Sequence, residues 1–227
     1  MSSPIATSKK SVLKKSIINL HKKLSHSHRI AVLGEIISKE ISSLRSGREE
    51  IKILDIGCGD MSLIELIQTY VENVNPICLD IYPLPGEYLN DSKWQKYKQF
   101  DGQNIPYDGN YFDFSILSDV LHHDFKNSYS LLKESLRVSH ITIIKDHFQK
   151  SFYSRLMLKF MDIIGNWGYG VALPKNYFTE VSFQKLLNEV GAVEIKRINN
   201  IELYSHNIFL SIFLKSDWQF ISIIKKK

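Results

Sequence analysis

A glycine-rich turn between an apolar strand and a helix constrains this fold more than any other feature. The apolar run 51–56 is followed by Gly57-Cys58-Gly59, and a helical pattern starts near Ser62, which has capping-box spacing with Glu65. Glycine allows a positive φ and a close approach of the backbone to a ligand, because it has no Cβ atom. The free amide groups at the start of the next helix suit an anionic group. The unit predicts a nucleoside-binding turn at the edge of a sheet.

The chain from residue 50 onward has the pattern of an α/β fold. Short apolar runs alternate with helical segments, which is typical of a mostly parallel sheet covered by helices. We expect strands near 51–56, 75–80, 96–100, 112–117 and 139–145, and helices near 62–72, 127–138 and 179–190. The last two strands are expected at 192–200 and 206–214, and they can pair antiparallel because no helix separates them. The predicted fold class is a Rossmann-like, doubly wound sheet of seven strands with the last strand antiparallel.

Two segments are expected to add to this sheet. Residues 1–48 are predicted to form a helical N-terminal extension or cap, with amphipathic helices over 13–24 and 29–44. Residues 49–227 are predicted to form the main domain, in which a lid insertion at about 150–178 contains a helix over 152–164. The aromatic residues of this insertion either pack structurally or line an apolar pocket, and they are Phe152, Tyr153, Trp167 and Tyr169.

The net charge of +5 comes mainly from the two ends of the chain. Solvated basic tails are the favoured interpretation of Lys9, Lys10, Lys14, Lys15, Lys22, Lys23, Lys225, Lys226 and Lys227. Peripheral contact of the basic N-terminal helix with an anionic membrane stays open. Nucleic acid is disfavoured as a partner, because the aromatic residues are not interleaved with the lysines.

A cytoplasmic protein is expected from features that the sequence lacks. There is no apolar stretch of about 18 residues or more, and no apolar signal core follows the N-terminal lysines. Cys58 and Cys78 have no CxxC spacing, which argues against a thiolate zinc site or a disulfide framework.

Acidic residues at three successive strand ends indicate which nucleoside the turn binds. A dinucleotide site would have a third glycine where Ser62 stands, and Asp55 would repel a pyrophosphate. Asp55 can instead lie near the cationic amino acid end of S-adenosylmethionine. Asp80 ends the second strand, where a carboxylate can accept hydrogen bonds from ribose hydroxyls, and Asp101, followed by Gly102, can accept one from the adenine amino group. The charges favour a sulfonium cofactor.

These motifs together resemble class I S-adenosylmethionine-dependent methyltransferases. The resemblance rests on the run Ile53-Leu54-Asp55-Ile56-Gly57-Cys58-Gly59, then Asp80, Asp101-Gly102, Phe112-Asp113 and Leu121-His122-His123. It is strongest to the small-molecule branch related to ubiquinone and menaquinone biosynthesis, and it covers about residues 50–147. The resemblance implies that S-adenosylmethionine is bound by Asp55, Gly57, Cys58, Gly59, Asp80, Ile81, Asp101, Gly102, Ser118, Asp119 and His123. Asp60-Met61 departs from it, since family members often have a further small residue there.

Catalysis of methyl transfer requires alignment of the nucleophile, exclusion of water and, for a hydroxyl or an acidic carbon, a base. His123 is one candidate base, and His147, which follows Asp146 at the end of the fifth strand, is another. Each of these three residues has the alternative of a structural hydrogen bond, and His122 is expected to be positional. We predict no metal site, because adjacent histidines rarely converge on one ion and HxxxH or HExxH spacing is absent.

The predicted function is methyl transfer to a small, apolar or aromatic acceptor, with O- or C-methylation favoured. Amine or amide methylation is disfavoured, because Ser118-Asp119-Val120-Leu121 replaces the (Asn/Asp)-Pro-Pro-(Tyr/Phe) motif of the enzymes that carry it out. An alternative is a short NAD(P)-binding Rossmann oxidoreductase, although Tyr153 is followed four residues later by Met157 and not by lysine. A catalytically silent methyltransferase-like subunit, which binds a partner through the basic N-terminal helix, is the other alternative.

Overall fold

A computed structural model describes residues 26–45, 47, 49–84, 86–88, 91–123, 127–166 and 176–227 of the chain. The predicted helix over 13–24 and the aromatic residues Trp167 and Tyr169 of the predicted lid lie outside these ranges. Among the described residues, no helix combines the length and the apolar character needed to cross a membrane.

A seven-stranded sheet organises the chain. The strands are β1 (Ile51–Ile56), β2 (Val74–Asp80), β3 (Tyr97–Gln99), β4 (Phe112–Ser118), β5 (Ser139–His147), β6 (Ala192–Asn199) and β7 (Gln219–Lys226). Their order across the sheet is β3-β2-β1-β4-β5-β7-β6. The first five strands are parallel to one another, whereas β7 is antiparallel to both β5 and β6. The parallel strands therefore end at one edge of the sheet, which is where α/β folds bind ligands.

Helices cover both faces of the sheet. They are α1 (Ser27–Leu44), α2 (Ser62–Tyr70), α3 (Ser128–Val138), α4 (Phe152–Asn166), α5 (Glu180–Glu189) and the short α6 (Ile208–Phe213). One face of β1 presents Ile51 and Ile53 to a core that includes residues of α1 and α2. The other face presents Leu54 and Ile56 to a core that includes residues of α3 and α5. The alternation follows from the two-residue period of a strand that is buried on both sides.

Helix α1 is part of this core. Leu33, Ile37 and Ile41 recur at helical spacing on its inner face and are buried with β1. Its backbone approaches α2 closely at Gly34, where a Cβ atom would lie 2.5 Å from Cδ2 of Leu66. The described half of the predicted N-terminal extension thus packs on the sheet.

The predictions agree with the structure for most elements, and the C-terminal strand is the main exception. The prediction of a strand at 206–214 is wrong, because residues 208–213 form α6 and the last strand is β7. Short apolar runs fit either a helix or a buried strand, so their pattern does not separate the two. The last strand is antiparallel as predicted, but the partner of β6 is β7 and not the segment 206–214. The strand β7 lies between two others, and Phe220 to Ile224 are buried.

Of the two helix starts that the sequence predicts, one is wrong and one is correct. The predicted capping box of Ser62 and Glu65 is wrong, since α2 has no side-chain cap and Met61 precedes it with φ +61°. Asp60 Oδ1 instead accepts a hydrogen bond from the Ser62 amide at 3.1 Å. Helix α5 is capped by Thr179, which accepts a bond from the Ser182 amide, and its start is as predicted.

Candidate active site

The glycine turn is held against the end of β2. Gly57 has φ +71° and donates its amide to the Leu79 carbonyl at 2.7 Å, and a Cβ atom on it would lie 2.5 Å from Cγ2 of Val120. Gly59 has φ +52° and donates its amide to Oδ2 of Asp80 at 2.9 Å. The positive φ angles and the close approach to Val120 account for glycine at both positions.

Asp55 lies beneath this turn and carries an unsatisfied carboxylate oxygen. Asp55 is 3% exposed, and its Oδ2 has no hydrogen-bond partner among the described residues. Burial, and then the neighbouring carboxylates of Asp80 and Asp60, raise the pKa of Asp55 to about 7. A cationic group brought to this position would satisfy the oxygen and favour the ionised form.

The Cys58 thiol belongs to the floor of the turn. A hydrogen bond to Cys78, followed by burial, raises the pKa of Cys58 well above its usual value. Both cysteines are buried and unpaired by any disulfide in the described chain. Cys58 is therefore a packing residue here and not a reactive thiolate.

The ends of β2 and β3 form the next part of the edge. Oδ1 of Asp80 lies 3.3 Å from the Tyr82 amide, and Ile81 is about half exposed beside Gly102, where a Cβ atom would approach its Cγ2 to 3.1 Å. Asp101 accepts hydrogen bonds from the Gln103 and Asn104 amides. These bonds lower the pKa of Asp101, so its carboxylate is ionised and fixed within its own exposed turn.

Beyond the glycine turn, the end of β4 carries a partly buried ion pair. Asp119, with φ +56°, donates its amide to the Lys145 carbonyl at 2.9 Å. Its carboxylate binds Lys145 Nζ at 2.5 and 2.7 Å and Arg29 of α1 at 2.8 Å. Although burial opposes ionisation, Lys145, His147 and Arg29 hold the pKa of Asp119 well below its usual value. Asp119 is a permanent anion between two cations.

His122 and Asp146 make a buried pair next to it. His122 Nδ1 lies 2.9 Å from Oδ1 of Asp146, and the two residues are 1% and 0% exposed. Burial disfavours the charged imidazole, but Asp146 and then Asp162 and Asp119 raise the pKa of His122 above its usual value. The pair joins the loop after β4 to the end of β5.

His147 completes the group that we call the His–Asp cluster, which consists of Asp119, His122, Asp146 and His147. Its Nδ1 lies 3.5 Å from Oδ1 of Asp119 and 3.6 Å from Oδ1 of Asp146. The centroids of the His122 and His147 rings are 4.5 Å apart, and the centroid of the His123 ring lies 4.2 Å from that of His122. Of the predicted catalytic residues, His147 and Asp146 thus lie in the cluster, while His123 lies beside it.

Two residues of the predicted lid segment lie near the cluster, namely Asp162 of α4 and Tyr177. Tyr177 donates its hydroxyl to Oδ2 of Asp162 at 2.5 Å, and its ring lies 5.2 Å from that of His147. Oδ1 of Asp162 is 3.9 Å from Nε2 of His122. Phe152, by contrast, is 81% exposed, and Tyr153 contacts Trp218, so neither of them faces the cluster.

Sequence reasoning missed four of these residues, namely Arg29, Lys145, Asp162 and Tyr177, and it expected His122 to be positional. Lys145 had a usable signal, because a lysine inside the apolar run of β5 must find a counter-ion in the sheet. The path of the loop after β4 decides which of the adjacent rings of His122 and His123 points inward, so the sequence alone does not separate them.

The comparisons with known proteins agree with the geometry. Residues 54–140 match the family described as Methyltransferase domain. No curated protein matches the chain. The chain is similar to a SAM-dependent methyltransferase from Archaeoglobus fulgidus, with 18% identity and a TM-score of 0.59, over 91% of this chain and 98% of that one.

Two further solved structures share the fold. Magnesium protoporphyrin IX methyltransferase (ChlM) from Synechocystis PCC 6803, solved with bound SAH, is 16% identical with a TM-score of 0.56, over 88% of this chain and 84% of that one. Mitomycin 7-O-methyltransferase MmcR is 14% identical with a TM-score of 0.58 over 87% of this chain. This chain spans about half the length of MmcR, covering 54% of it.

Proposed function

We propose that this chain, whose residues 54–140 match a methyltransferase domain, is a class I S-adenosylmethionine-dependent methyltransferase that methylates a hydroxyl oxygen or an acidic carbon of a small acceptor with an apolar or aromatic body. The observation that carries the proposal is the buried His–Asp cluster, which stands at the ends of β4 and β5 next to the cofactor turn.

The described residues fit the cofactor. The orphaned Oδ2 of Asp55 suits its ammonium group, and the turn at Gly57 and Gly59 leaves no Cβ atom in the way. By position, Asp55, Gly57, Cys58 and Gly59 would hold the methionyl part, Asp80 and Ile81 the ribose, Asp101 and Gly102 the adenine, and Ser118, Asp119 and His123 would border the sulfonium. When bound, the cofactor supplies a methyl group that is already activated for displacement.

Methyl transfer to a hydroxyl oxygen or an acidic carbon also requires the removal of a proton from the acceptor, and the protein must supply the base. His122 and His147 each have Nδ1 near a carboxylate and a buried Nε2 without a hydrogen-bond partner among the described residues. A carboxylate on one nitrogen orients an imidazole and leaves the other nitrogen to take a proton from the acceptor. Asp146 serves both rings, since its Oδ1 lies 2.9 Å from His122 Nδ1 and 3.6 Å from His147 Nδ1. His123 remains a candidate from the sequence.

Aromatic contacts support an apolar or planar acceptor. The rings of His122, His147 and Tyr177 form one continuous set, with centroids 4.5 to 5.9 Å apart. Planar acceptors stack on such surfaces, and Leu121 adds a buried apolar side chain to the same loop. Asp119, held between Lys145 and Arg29, would keep the site polar on one side only.

A cytoplasmic location is part of the proposal, because Cys58 and Cys78 form no disulfide in the described chain, which fits a reducing compartment. Contact of the lysine-rich segment 9–23 with an anionic membrane would bring the enzyme to an apolar acceptor.

A labelling experiment tests the function. Purified protein is incubated with methyl-labelled S-adenosylmethionine and a small-molecule extract of the source cells, and labelled products are identified by mass spectrometry. We expect a labelled small molecule with a methoxy group or a new carbon-bound methyl group, and a loss of at least about 100-fold in Asp146→Asn. His140→Gln, an exposed histidine on the same strand, is the matched control. A labelled product that carries the methyl group on nitrogen, or no labelled product above a control without the protein, would contradict the proposal.

A further inference from the structure

The outer face of α4 is an exposed apolar surface. Phe152, Leu156 and Phe160 recur at four-residue spacing, which places them on one side of the helix, and they are 81%, 52% and 54% exposed. Tyr153 lies next to them on the helix surface and is also exposed, whereas Leu158 on the opposite side is buried in the core. We call these four exposed residues, which are Phe152, Tyr153, Leu156 and Phe160, the apolar stripe.

The charges beside the apolar stripe are positive. Arg155 and Lys159 are exposed and adjoin the stripe on the helix surface. Asp162 is the one acidic residue of α4, and it lies toward the site, where its Oδ1 is 3.9 Å from Nε2 of His122. A helix with an apolar face and basic side chains beside it suits an anionic membrane surface, because the apolar groups enter the acyl boundary while the basic groups stay among the headgroups.

A second exposed apolar helix follows in the same part of the fold. Helix α6 contains no charged residue, and it exposes Ile208, Ile212 and Phe213. Trp218, which follows α6, contacts Tyr153 at the start of α4, with ring centroids 6.0 Å apart. Exposed apolar residues that are scattered singly need no explanation, but such residues grouped on two helices indicate an interaction surface.

Charge selects among the possible occupants of the apolar stripe. A second copy of this chain, packed through the same stripe, would bring the Arg155 and Lys159 side chains of the two copies together. The lysine-rich segment 9–23 would meet the same repulsion if it covered the stripe. An anionic bilayer is the partner that both the apolar and the basic side chains fit.

We propose that α4 is an interfacial helix whose apolar stripe inserts into the headgroup region of an anionic phospholipid bilayer. The lysine-rich segment 9–23 leads toward the same edge of the sheet, since His26, which precedes α1, lies 3.3 Å from Asp60 of the glycine turn. Binding to the bilayer stands on the exposed side chains alone. Its purpose rests on the proposed function: because α4 also borders the site through Asp162, an acceptor with an apolar body could pass from the bilayer to the His–Asp cluster.

Flotation of the purified full chain with phospholipid vesicles tests this surface. The vesicles contain phosphatidylcholine and phosphatidylglycerol in equal parts, or phosphatidylcholine alone. We expect binding to the anionic vesicles, and binding at least about tenfold weaker to phosphatidylcholine alone. Phe152→Ser combined with Phe160→Ser should weaken binding to the anionic vesicles by at least about tenfold, and Lys159→Gln should weaken it by about fivefold. Tyr70→Ser combined with Val181→Ser removes two exposed apolar side chains from α2 and α5, and this matched control should bind like the wild type.

Folding, cofactor binding and oligomeric state are measured in parallel. Circular dichroism checks each variant, and calorimetric titration with S-adenosylhomocysteine reports the glycine turn independently of α4. Folded protein that binds S-adenosylhomocysteine but no vesicles would overturn the membrane surface and leave the proposed function standing.

Two further outcomes would also overturn the membrane surface. Equal vesicle binding by the wild type and by the variant without the two phenylalanines would show that another surface holds the bilayer. A dimer in analytical ultracentrifugation that dissociates in that variant, without vesicle binding, would identify the stripe as an interface between copies. Vesicle binding by a protein that yields no labelled product would count against the proposed function alone.

Discussion

Arg29 donates a hydrogen bond to Oδ2 of Asp119 at 2.8 Å, joining the first described helix to a residue 90 positions away at the end of β4. The contact lies beside the ion pair of Asp119 with Lys145, which is 1% exposed. Helix α1 therefore contributes a charge to the site as well as apolar side chains to the core.

Removing this charge should loosen the link between α1 and the site. In Arg29→Gln, Asp119 keeps Lys145 but loses one charged hydrogen bond, so the free energy of unfolding should fall by about 1–3 kcal/mol. Urea denaturation followed by circular dichroism measures the change. Lys39→Gln, an exposed lysine on the same helix, should change it by less than about 0.5 kcal/mol. Equal stability of the two variants would show that the contact of Arg29 with Asp119 does not stabilise the protein.

A substitution at Gly57 in the glycine turn should weaken cofactor binding. In Gly57→Ala, the new Cβ atom meets Val120 at 2.5 Å and the residue keeps φ +71°, which costs about 1–2 kcal/mol in backbone strain alone. The turn must shift, so the Kd for S-adenosylhomocysteine should rise by at least about tenfold.

Two further variants separate the causes. Gly57→Ala combined with Val120→Ala removes the clash but not the positive φ, so it should recover part of the affinity. Gly86→Ala adds a Cβ atom in open space and without a positive φ, and it should bind like the wild type. Full affinity in Gly57→Ala would contradict the account of the turn.

The site could be predicted from the sequence where its residues sit on one local pattern. The turn at Gly57 and Gly59, the acid at Asp80 and the fifth strand with Asp146 all follow from strand and turn signals within a few residues. The choice of His122 over His123 as the partner of Asp146 could not be predicted, since it depends on the path of the loop after β4.

Contacts between distant parts of the chain set the remaining limit. Arg29 and Asp119 lie on separate elements, and nothing in the local sequence around either residue indicates that the two are in contact. The exchange of a strand for α6 at residues 208–213 has a similar cause. IFLSIF suits a half-buried helix or a strand equally well, and the position beside β5 is taken by β7, whose residues Phe220 to Ile224 can be buried on both faces.

Asp55 should make stability and cofactor affinity respond to pH in opposite ways. Its pKa is raised to about 7 in the folded protein, against about 3.9 in an unfolded chain. Between these values the folded protein keeps a proton that the unfolded chain has lost. The contribution of Asp55 to the free energy of unfolding therefore falls as the pH rises from about 4 to about 7, by at most about 4 kcal/mol, and stays low above pH 7.

Asp55→Asn tests this dependence. The variant lacks the titrating group, so it should be more stable than the wild type at pH 8 and similar to it at pH 4 in urea denaturation. It should bind S-adenosylmethionine more weakly at pH 8, because the ionised carboxylate that would face the cofactor's ammonium group is gone. A variant that is less stable than the wild type at pH 8 would refute the raised pKa.

The most direct test of the account is a calorimetric titration of the purified chain with S-adenosylhomocysteine, repeated with Asp80→Ala and with NAD. Asp80 holds the Gly59 amide at 2.9 Å and lies at the end of β2, where the ribose is expected. We predict one binding site per chain, a Kd at least about tenfold higher in Asp80→Ala, and no binding of NAD. Folded protein that binds NAD and not S-adenosylhomocysteine would contradict the account.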